Sequence, residues 1–167
     1  IGMLKNTLEE LVLSNNEELT TEALAQCSGL KRLKRLRLGR CFGVDDLSPL
    51  VDCANLEDVT VEGCRQLTDD SFKIFSEEPN SFPNLQSLDL NDCIKLTEKT
   101  LEHLSKNNHL VHQLKELCLS DELSDILKSS ETARNNICKL QGLRTLRGAG
   151  SAKTEILRRL KNLEDFW

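Results

Sequence analysis

Residues 85–98 read Leu-Gln-Ser-Leu-Asp-Leu-Asn-Asp-Cys-Ile-Lys-Leu-Thr-Glu, and this stretch decides the fold. It begins with the spacing Leu-x-x-Leu-x-Leu, which predicts a short strand whose alternate side chains point to one side of a sheet. Cys93 follows three places after the last of these leucines, where the chain turns off the strand. Thr97 followed by Glu98 is typical of a helix start. The stretch therefore predicts a strand, a turn and a helix.

The same spacing recurs along most of the chain. It occurs in five full copies, separated by 25, 23, 29 and 29 residues, which start at Leu8, Leu33, Leu56, Leu85 and Leu114. A sixth copy starts 29 residues later at Leu143 and has glycine in the third place. A partial seventh copy is read 17 residues further on, at Leu160 and Leu163. A repeat of this length is typical of proteins in which similar units stack side by side.

The segments that return from one strand to the next differ in length. Thr68 and Thr97 are predicted to start helices, because a hydroxyl cap and the acids that follow it suit the positive end of a helix. Residues 20–25 predict a shorter helix. Residues 45–50 predict a 3₁₀ turn, because Pro49 fits the first turn of a helix but not its interior.

The chain resembles the leucine-rich repeat family, and more narrowly the cysteine-containing subclass found in the substrate-binding portions of F-box proteins. The resemblance is carried by Leu56-x-x-Val-x-Val-x-x-Cys64-x-x-Leu-Thr-Asp69 and by the matching stretch 85–98, and it covers roughly residues 8–147. Asn16 and Glu122 stand where the subclass has cysteine. The resemblance implies an α/β fold: a short curved leucine-rich repeat solenoid with a parallel inner sheet and with helices or 3₁₀ turns on its convex side.

The two ends of such a stack would expose the core to water unless a further segment covers them. We expect a single domain over residues 1–167, with five to six repeats in residues 8–147 and a C-terminal cap in residues 148–167. Residues 154–163 are predicted to be helical, and a linker to further sequence is the alternative for this tail. Residues 124–136 are expected to form a helix with one narrow buried stripe, or a partly mobile loop. The apolar side chains assigned to the cap are Ile156, Leu157, Leu160, Leu163, Phe166 and Trp167.

The composition excludes several classes of protein. Leucine accounts for 32 of the 167 residues, against five Phe, one Trp and no Tyr, so the core is expected to be aliphatic. No apolar run is long enough to predict a membrane-spanning helix. With 27 acidic and 22 basic residues the net charge is −5, which disfavours general nucleic-acid binding. Six basic residues in the segment 31–40 are read as a solvated surface, with binding of phosphates or of an acidic peptide as the alternative.

The seven cysteines indicate a reducing compartment. They are odd in number and include no Cys-x-x-Cys pair, which disfavours a complete disulfide framework, a zinc site and thioredoxin-type chemistry. We read the thiols as reduced and the location as intracellular, cytoplasmic or nuclear, while a targeting segment removed before residue 1 stays open. Cys118 takes an outward place on its strand, so we expect it to be the exposed and reactive thiol.

The sequence predicts no catalytic residue, no cofactor and no metal site. His109 and His112 have workable spacing for a metal, but no carboxylate or cysteine of suitable spacing completes a set with them or with His103. Loop histidines between a helix and a strand are the simpler interpretation. Neither a glycine-rich phosphate loop nor a Ser/His/Asp arrangement can be placed.

The outward side chains of neighbouring strands are expected to form ladders across the sheet, about 4.8 Å apart. The first ladder reads Glu10, Arg35, Asp58, Ser87, Glu116 and Thr145. The second reads Val12, Arg37, Thr60, Asp89, Cys118 and Arg147. The third reads Ser14, Gly39, Glu62, Asn91, Ser120 and Ala149. The partner-binding candidates on this concave face are Arg37, Asp89, Arg147, Glu62, Glu116 and Cys118.

Two arginines on this face are expected to behave differently. Arg35 lies between Glu10 and Asp58 in its ladder, which predicts internal neutralisation. Arg37 has only Val12 and Thr60 beside it, so its guanidinium is expected to stay available for a carboxylate or an aromatic ring of a partner. Loss of Arg37 is therefore expected to weaken binding more than loss of Arg35.

These patterns favour a non-enzymatic protein–protein interaction module. The family resemblance implies one version of that role, substrate recognition in a ubiquitin ligase. Two alternatives stay open: a structural or scaffold subunit of a larger assembly, and a regulatory domain of an enzyme whose catalytic part lies outside this chain. A protein is the expected partner in the first two cases, through the concave face or through the edges and capping segments.

Overall fold

The computed structural model describes residues 4–166, and within them short strands form one parallel sheet. The sheet has seven strands, and their order across the sheet follows their order in the chain. The strands are β1 (Glu10–Val12), β2 (Arg35–Arg37), β3 (Asp58–Thr60), β4 (Ser87–Asp89), β5 (Glu116–Cys118), β6 (Thr145–Arg147) and β7 (Asp165–Phe166). The chain is thus an α/β protein in which each unit of strand and return segment pairs with the units before and after it.

The register of the sheet follows the leucine pattern. The central residues of β1 to β6 point toward the core and pair laterally in the order Leu11, Leu36, Val59, Leu88, Leu117 and Leu146. From β2 to β6 these side chains are at most 3% exposed. The residues on either side of them face outward and reproduce the first and second predicted ladders from end to end.

The turns off β1 to β4 each contain a residue in the left-handed conformation, and three of them also contain a buried thiol. Asn15, Arg40, Gly63 and Asp92 have φ between 53° and 69° at the same place in the first four units. In three of these units a cysteine follows and its buried Sγ–H donates to a carbonyl oxygen of the preceding unit, at 3.1–3.2 Å. The donors and acceptors are Cys41 with Leu13, Cys64 with Leu38 and Cys93 with Val61. The thiol of Cys41 thus gives the Leu13 carbonyl a donor. The carbonyls of Leu38 and Val61 accept from a thiol in addition to the amides of Cys41 and Cys64.

Helices occupy most of the return segments. They are α1 (Thr21–Leu24), α2 (Ile74–Glu77), α3 (Glu98–Ser105), α4 (Leu110–Gln113), α5 (Asp121–Ser129), α6 (Glu131–Ile137) and α7 (Lys153–Arg159). Short 3₁₀ turns cover Ala25–Cys27, Ser48–Leu50, Asp69–Phe72 and Gly150–Ala152. The short helix in residues 20–25, the 3₁₀ turn at Pro49 and the helical starts after Thr68 and Thr97 are confirmed. None of the helices in residues 4–166 has the length and apolar character that crossing a bilayer requires.

The fifth return segment differs from its prediction. Ser120 caps α5 by accepting a hydrogen bond from the amide of Leu123, so the helix begins directly after β5 and no cysteine turn forms. Glu122 lies in the first turn of that helix, which explains why it replaces cysteine. The segment predicted as one helix or a mobile loop over residues 124–136 consists of α5 and α6, separated at Ser130. Both helices pack into the core, through Leu123 and Leu127 and through Ala133 and Ile137.

Two other differences concern the last units. A Cβ on Gly148 would lie 2.6 Å from the carbonyl oxygen of Leu119, so glycine replaces leucine there because two backbones approach closely. The seventh copy starts at Leu163 and not at Leu160, because Thr145 pairs with Asp165. α7 stops at Arg159 rather than continuing to residue 163, because a turn begins at Leu160, whose carbonyl accepts from the amide of Leu163.

The two ends of the stack are covered unequally. At the first unit Leu8, Leu11 and Leu13 are only partly buried, whereas their counterparts in the next four units lie in the core. At the other end, the Nη1 of Arg134 donates to the carbonyls of Leu127 and Lys128, and its Nε lies 2.8 Å from Glu155 of α7.

The side chains assigned to the C-terminal cap are buried to different extents. Ile156 and Leu160 are buried and Leu163 is partly buried, but Leu157 is 38% exposed. The side chain of Phe166 and the whole of Trp167 lie outside the described part of the chain. The predicted apolar set is thus buried only in part, and Leu157 lies at the surface.

Candidate interaction surface

The outward face of the sheet carries charges of both signs. Its N-terminal half holds a cluster of four charged side chains: Glu10, Arg35, Arg37 and Asp58. Arg35 donates to Glu10 at 3.1 Å, as its place in the ladder predicts. This ion pair is exposed to solvent, so it contributes little to stability.

The prediction of an unpaired Arg37 is wrong. The guanidinium of Arg37 lies 3.8 Å from Glu10 and 3.9 Å from Asp58, both diagonal neighbours on adjacent strands. Lateral neighbours alone did not reveal these partners, because a long side chain reaches across to the next ladder. The two arginines therefore share Glu10, whereas Asp58, the other predicted neighbour of Arg35, lies within 4.0 Å of Arg37 instead.

Burial raises the pKa of Asp58 above its usual value, and Arg37 opposes that shift as the nearest cation. The carboxylates of Glu116 and Asp89 add to the rise, although they belong to other strands. The mixed charges of this face thus influence one another over several strands.

The C-terminal half of the face brings four of the predicted residues together. Asp89, Glu116, Cys118 and Arg147 line one shallow depression of about 50 Å³ with neighbouring serine and threonine side chains. Arg147 is exposed at the end of β6, and no carboxylate in residues 4–166 lies within 4.0 Å of its guanidinium. The uncommitted arginine of this face is therefore Arg147 rather than Arg37.

The expectation of a reactive Cys118 needs correction. Cys118 is the one cysteine that is not fully buried, as its outward place predicts. Burial and the adjacent Asp89 carboxylate nevertheless raise the pKa of its thiol to about 11. A thiol with that pKa is almost entirely protonated at neutral pH, so it acts as a weak hydrogen-bond donor and not as a nucleophile.

The remaining predicted residue, Glu62, lies with Arg37 and Arg40 along a separate groove of about 240 Å³. The third ladder does not continue across the whole face, because Ser120 is buried as the cap of α5 and Ala149 is buried as well. The outward face thus contains two separate polar regions, one around Arg37 and Glu62 and one around Arg147.

Two of the three histidines lie in helices, and the third lies in the turn between α3 and α4. His103 is in the last turn of α3, where its Nδ1 lies 2.6 Å from the hydroxyl of Ser76. His109 precedes α4 and His112 lies within it. In residues 4–166 no three His, Cys, Asp or Glu side chains come together as a metal site would need.

Two groups of residues were missed by the sequence reasoning. The carboxylate of Asp69 accepts four hydrogen bonds, at 2.6–3.1 Å, from the amides and hydroxyls of Thr97 and Thr100 in the next unit. The sequence pattern assigns Asp69 to the start of its own helix, whereas its carboxylate accepts hydrogen bonds at the start of α3 in the next unit. The second group is a set of basic side chains at the rim of the sheet, Lys115, Arg144 and Lys161. Their positions immediately before strands and within a turn are the pattern that could have identified them.

Comparisons with known proteins support the architecture but do not show a family to which the chain belongs. No family model matches the chain. It is 27% identical over 152 residues to human baculoviral IAP repeat-containing protein 1, with 83% of this chain and 10% of that protein covered. The chain thus spans about a tenth of the length of that relative.

Two solved structures share the fold at low sequence identity. A chain of the yeast Rad7 and Elc1 complex superposes with a TM-score of 0.63 at 21% identity, covering 92% of this chain and 39% of that one. Leiomodin-1 actin-binding site 2 superposes with a TM-score of 0.56 at 15% identity, covering 96% of this chain and 87% of that one. At such identities the likeness describes the architecture alone.

Proposed function

We propose that the chain is a leucine-rich repeat solenoid of the cysteine-containing type that binds a protein through the outward face of its sheet. The region around Arg147 is the centre of that proposed contact. Arg37 and Glu62 form a second, peripheral part of it. The role is one of binding, without chemistry on the partner.

The observation that carries the proposal is the exposed, uncommitted guanidinium of Arg147 beside Asp89 and Glu116. Arginine is enriched at the energetic centres of protein interfaces, because its planar fork of donors pairs with carboxylates and stacks on aromatic rings. The depression beside it, at about 50 Å³, is far smaller than the roughly 300–1,000 Å³ of small-molecule sites. A depression of this size has no room for a small molecule, but it can receive part of a side chain of another protein.

The finer assignment rests on the sequence. The resemblance to the substrate-binding portions of F-box proteins favours substrate recognition in a ubiquitin ligase, and an intracellular location accompanies it. The scaffold subunit and the regulatory domain of a larger enzyme are the competing roles. We further propose that residues 1–167 act as one domain, with the repeats in residues 8–147 and a cap in residues 148–167.

The test is quantitative affinity capture from cell extract with three immobilised proteins: the unchanged chain, Arg147→Glu and Arg158→Glu. Arg158 lies on α7, is exposed and lines neither region of the outward face, so it reproduces the charge change without touching the proposed contact. We expect specific partners to be retained by the unchanged chain and by Arg158→Glu, and to be lost from Arg147→Glu.

Ubiquitin-ligase components among the proteins lost with Arg147→Glu would support the finer assignment. Retention of every specific partner by Arg147→Glu would contradict the contact at Arg147. Circular dichroism on all three proteins checks that each variant folds.

A further inference from the structure

A basic pocket of about 390 Å³ opens at the rim of the sheet, away from the outward face. It is lined by segments that precede β5, β6 and β7, and it therefore spans the last three units of the stack. Its ionisable side chains are His112, Lys115, Arg144, Lys161 and Glu164. The pocket is cationic although the chain as a whole carries a net charge of −5.

The arrangement of Lys115 and Arg144 needs an explanation. Each immediately precedes its strand, and the amide of Arg144 donates to the carbonyl of Lys115 across the sheet, so the two cations occupy neighbouring rungs. Like charges directly opposite each other destabilise a sheet. At the same place near the N-terminus, Lys34 instead pairs with Glu9 on the neighbouring rung at 3.2 Å. The rim therefore pairs opposite charges at one end of the sheet, whereas at the other end two adjacent cations are followed by Glu164, whose amide donates to the carbonyl of Arg144.

The rim cations remain without acidic partners in residues 4–166. Lys115 donates one hydrogen bond to the neutral side chain of Gln86, and neither Arg144 nor Lys161 has a carboxylate within 4.0 Å. Two donors of the Lys115 ammonium and the whole fork of Arg144 are thus available to a ligand.

Backbone contacts hold the walls of the pocket together. A Cβ on Gly142 would lie 2.3 Å from the carbonyl oxygen of His112, so only glycine allows the turn before β6 to lie against α4. The side-chain amide of Asn162 donates to the carbonyl of Gln141 at 3.1 Å and fixes the turn before β7 on the turn before β6. The charged side chains therefore project from a well-defined backbone, which reduces the ordering cost of binding.

We propose that this pocket binds a phosphate monoester on a side chain of a protein partner. Lys115, Arg144 and Lys161 supply three positive charges and Glu164 removes one, which leaves the two that balance a phosphate dianion. A single carboxylate would be over-compensated by three cations, whereas a phosphate has three terminal oxygens to share among them. The inference rests on the proposed protein-binding function and adds a phosphorylated partner to it.

The test is a titration of the ¹⁵N-labelled chain followed by amide chemical shifts. The probes are the peptide Gly-Ser-Gly-phosphoSer-Gly-Ser-Gly, the same peptide with Ser or Asp in place of phosphoserine, inorganic phosphate, and a single-stranded oligothymidylate. We expect the phosphopeptide to shift the amides around Gly142, and to bind about tenfold or more weakly to Arg144→Gln. Arg158→Gln, which removes the same charge outside the pocket, should bind like the unchanged chain.

Several results would overturn the proposal. Equal affinity for the phosphopeptide and the Asp peptide would make the site a general acidic-peptide site. If inorganic phosphate or the oligonucleotide bound equally well or more tightly, the pocket would not be a site for a phosphorylated protein. Unchanged affinity in Arg144→Gln would move any binding away from the pocket. Because Arg147 does not line the pocket, the capture experiment with Arg147→Glu and this titration succeed or fail independently.

Discussion

The replacement Leu88→Ala tests whether the stacked leucines hold the chain together. Leu88 lies at the centre of β4 between Val59 and Leu117, and it is 1% exposed. Removing about three methylene equivalents costs about 2.4 kcal/mol in transfer free energy, and the cavity left behind adds to that. We expect the free energy of unfolding to fall by about 2–5 kcal/mol.

The matched control is Leu11→Ala, at the same place in the first strand. Leu11 is only partly buried because no unit precedes β1 in the described sheet, so its loss should cost about 1 kcal/mol. Urea denaturation followed by circular dichroism gives both values from the midpoints and slopes. In a stack whose units contact only their neighbours, the central change should also broaden the transition. The predicted register would be refuted if Leu88→Ala unfolded at the same urea midpoint as the unchanged chain. It would also be refuted if Leu88→Ala lost no more unfolding free energy than Leu11→Ala.

Two further predictions follow from titratable groups. Burial raises the pKa of Asp69, but hydrogen bonds from the threonines of the next unit outweigh burial and hold the pKa below its usual value. The ionised carboxylate therefore stabilises the fold above about pH 4, and this contribution is lost as the pH falls through the folded-state pKa. Asp69→Asn should therefore lower stability by about 1–3 kcal/mol at pH 7 and by little at pH 2, as measured by urea denaturation at both pH values. At pH 7.5, iodoacetamide should modify Cys118 before the buried Cys93, yet roughly a hundredfold more slowly than an unstructured cysteine, because the pKa of Cys118 is raised to about 11. Mass spectrometry of timed samples measures both rates, and rapid modification of Cys93 in the folded chain would contradict the buried turn.

The sequence predicts the sheet because the leucine spacing controls both burial and register. Strands β1 to β6 are only three residues long, so alternation leaves one inward residue and determines which side chains become lateral neighbours. For that reason the first two ladders match the structure, whereas the ion pairs of Arg37 do not follow from them. The direction of a long side chain depends on diagonal neighbours and solvent exposure, which a ladder does not specify.

The leucine spacing alone misplaces the last unit, because it does not include the residue that precedes each leucine. Asn84 and Asn162 each precede the first leucine of a unit, and each donates its side-chain amide to a carbonyl of the preceding unit, at 2.9 and 3.1 Å. If the asparagine directly before the first leucine is included in the repeat pattern, the last unit starts at Leu163. The fifth return segment was harder to predict, because a serine directly after a strand can cap a helix or form a turn, and the choice depends on packing of α5.

The bonds from cysteine thiols to carbonyls of the preceding unit turn Cys41, Cys64 and Cys93 into reporters placed at successive junctions. A buried thiol reacts only when its surroundings open, so its modification rate measures the free energy of that local opening. The three rates would show, junction by junction, how stability is distributed along the chain. This distribution would reveal whether the weakly covered first unit separates from the rest before the whole molecule unfolds.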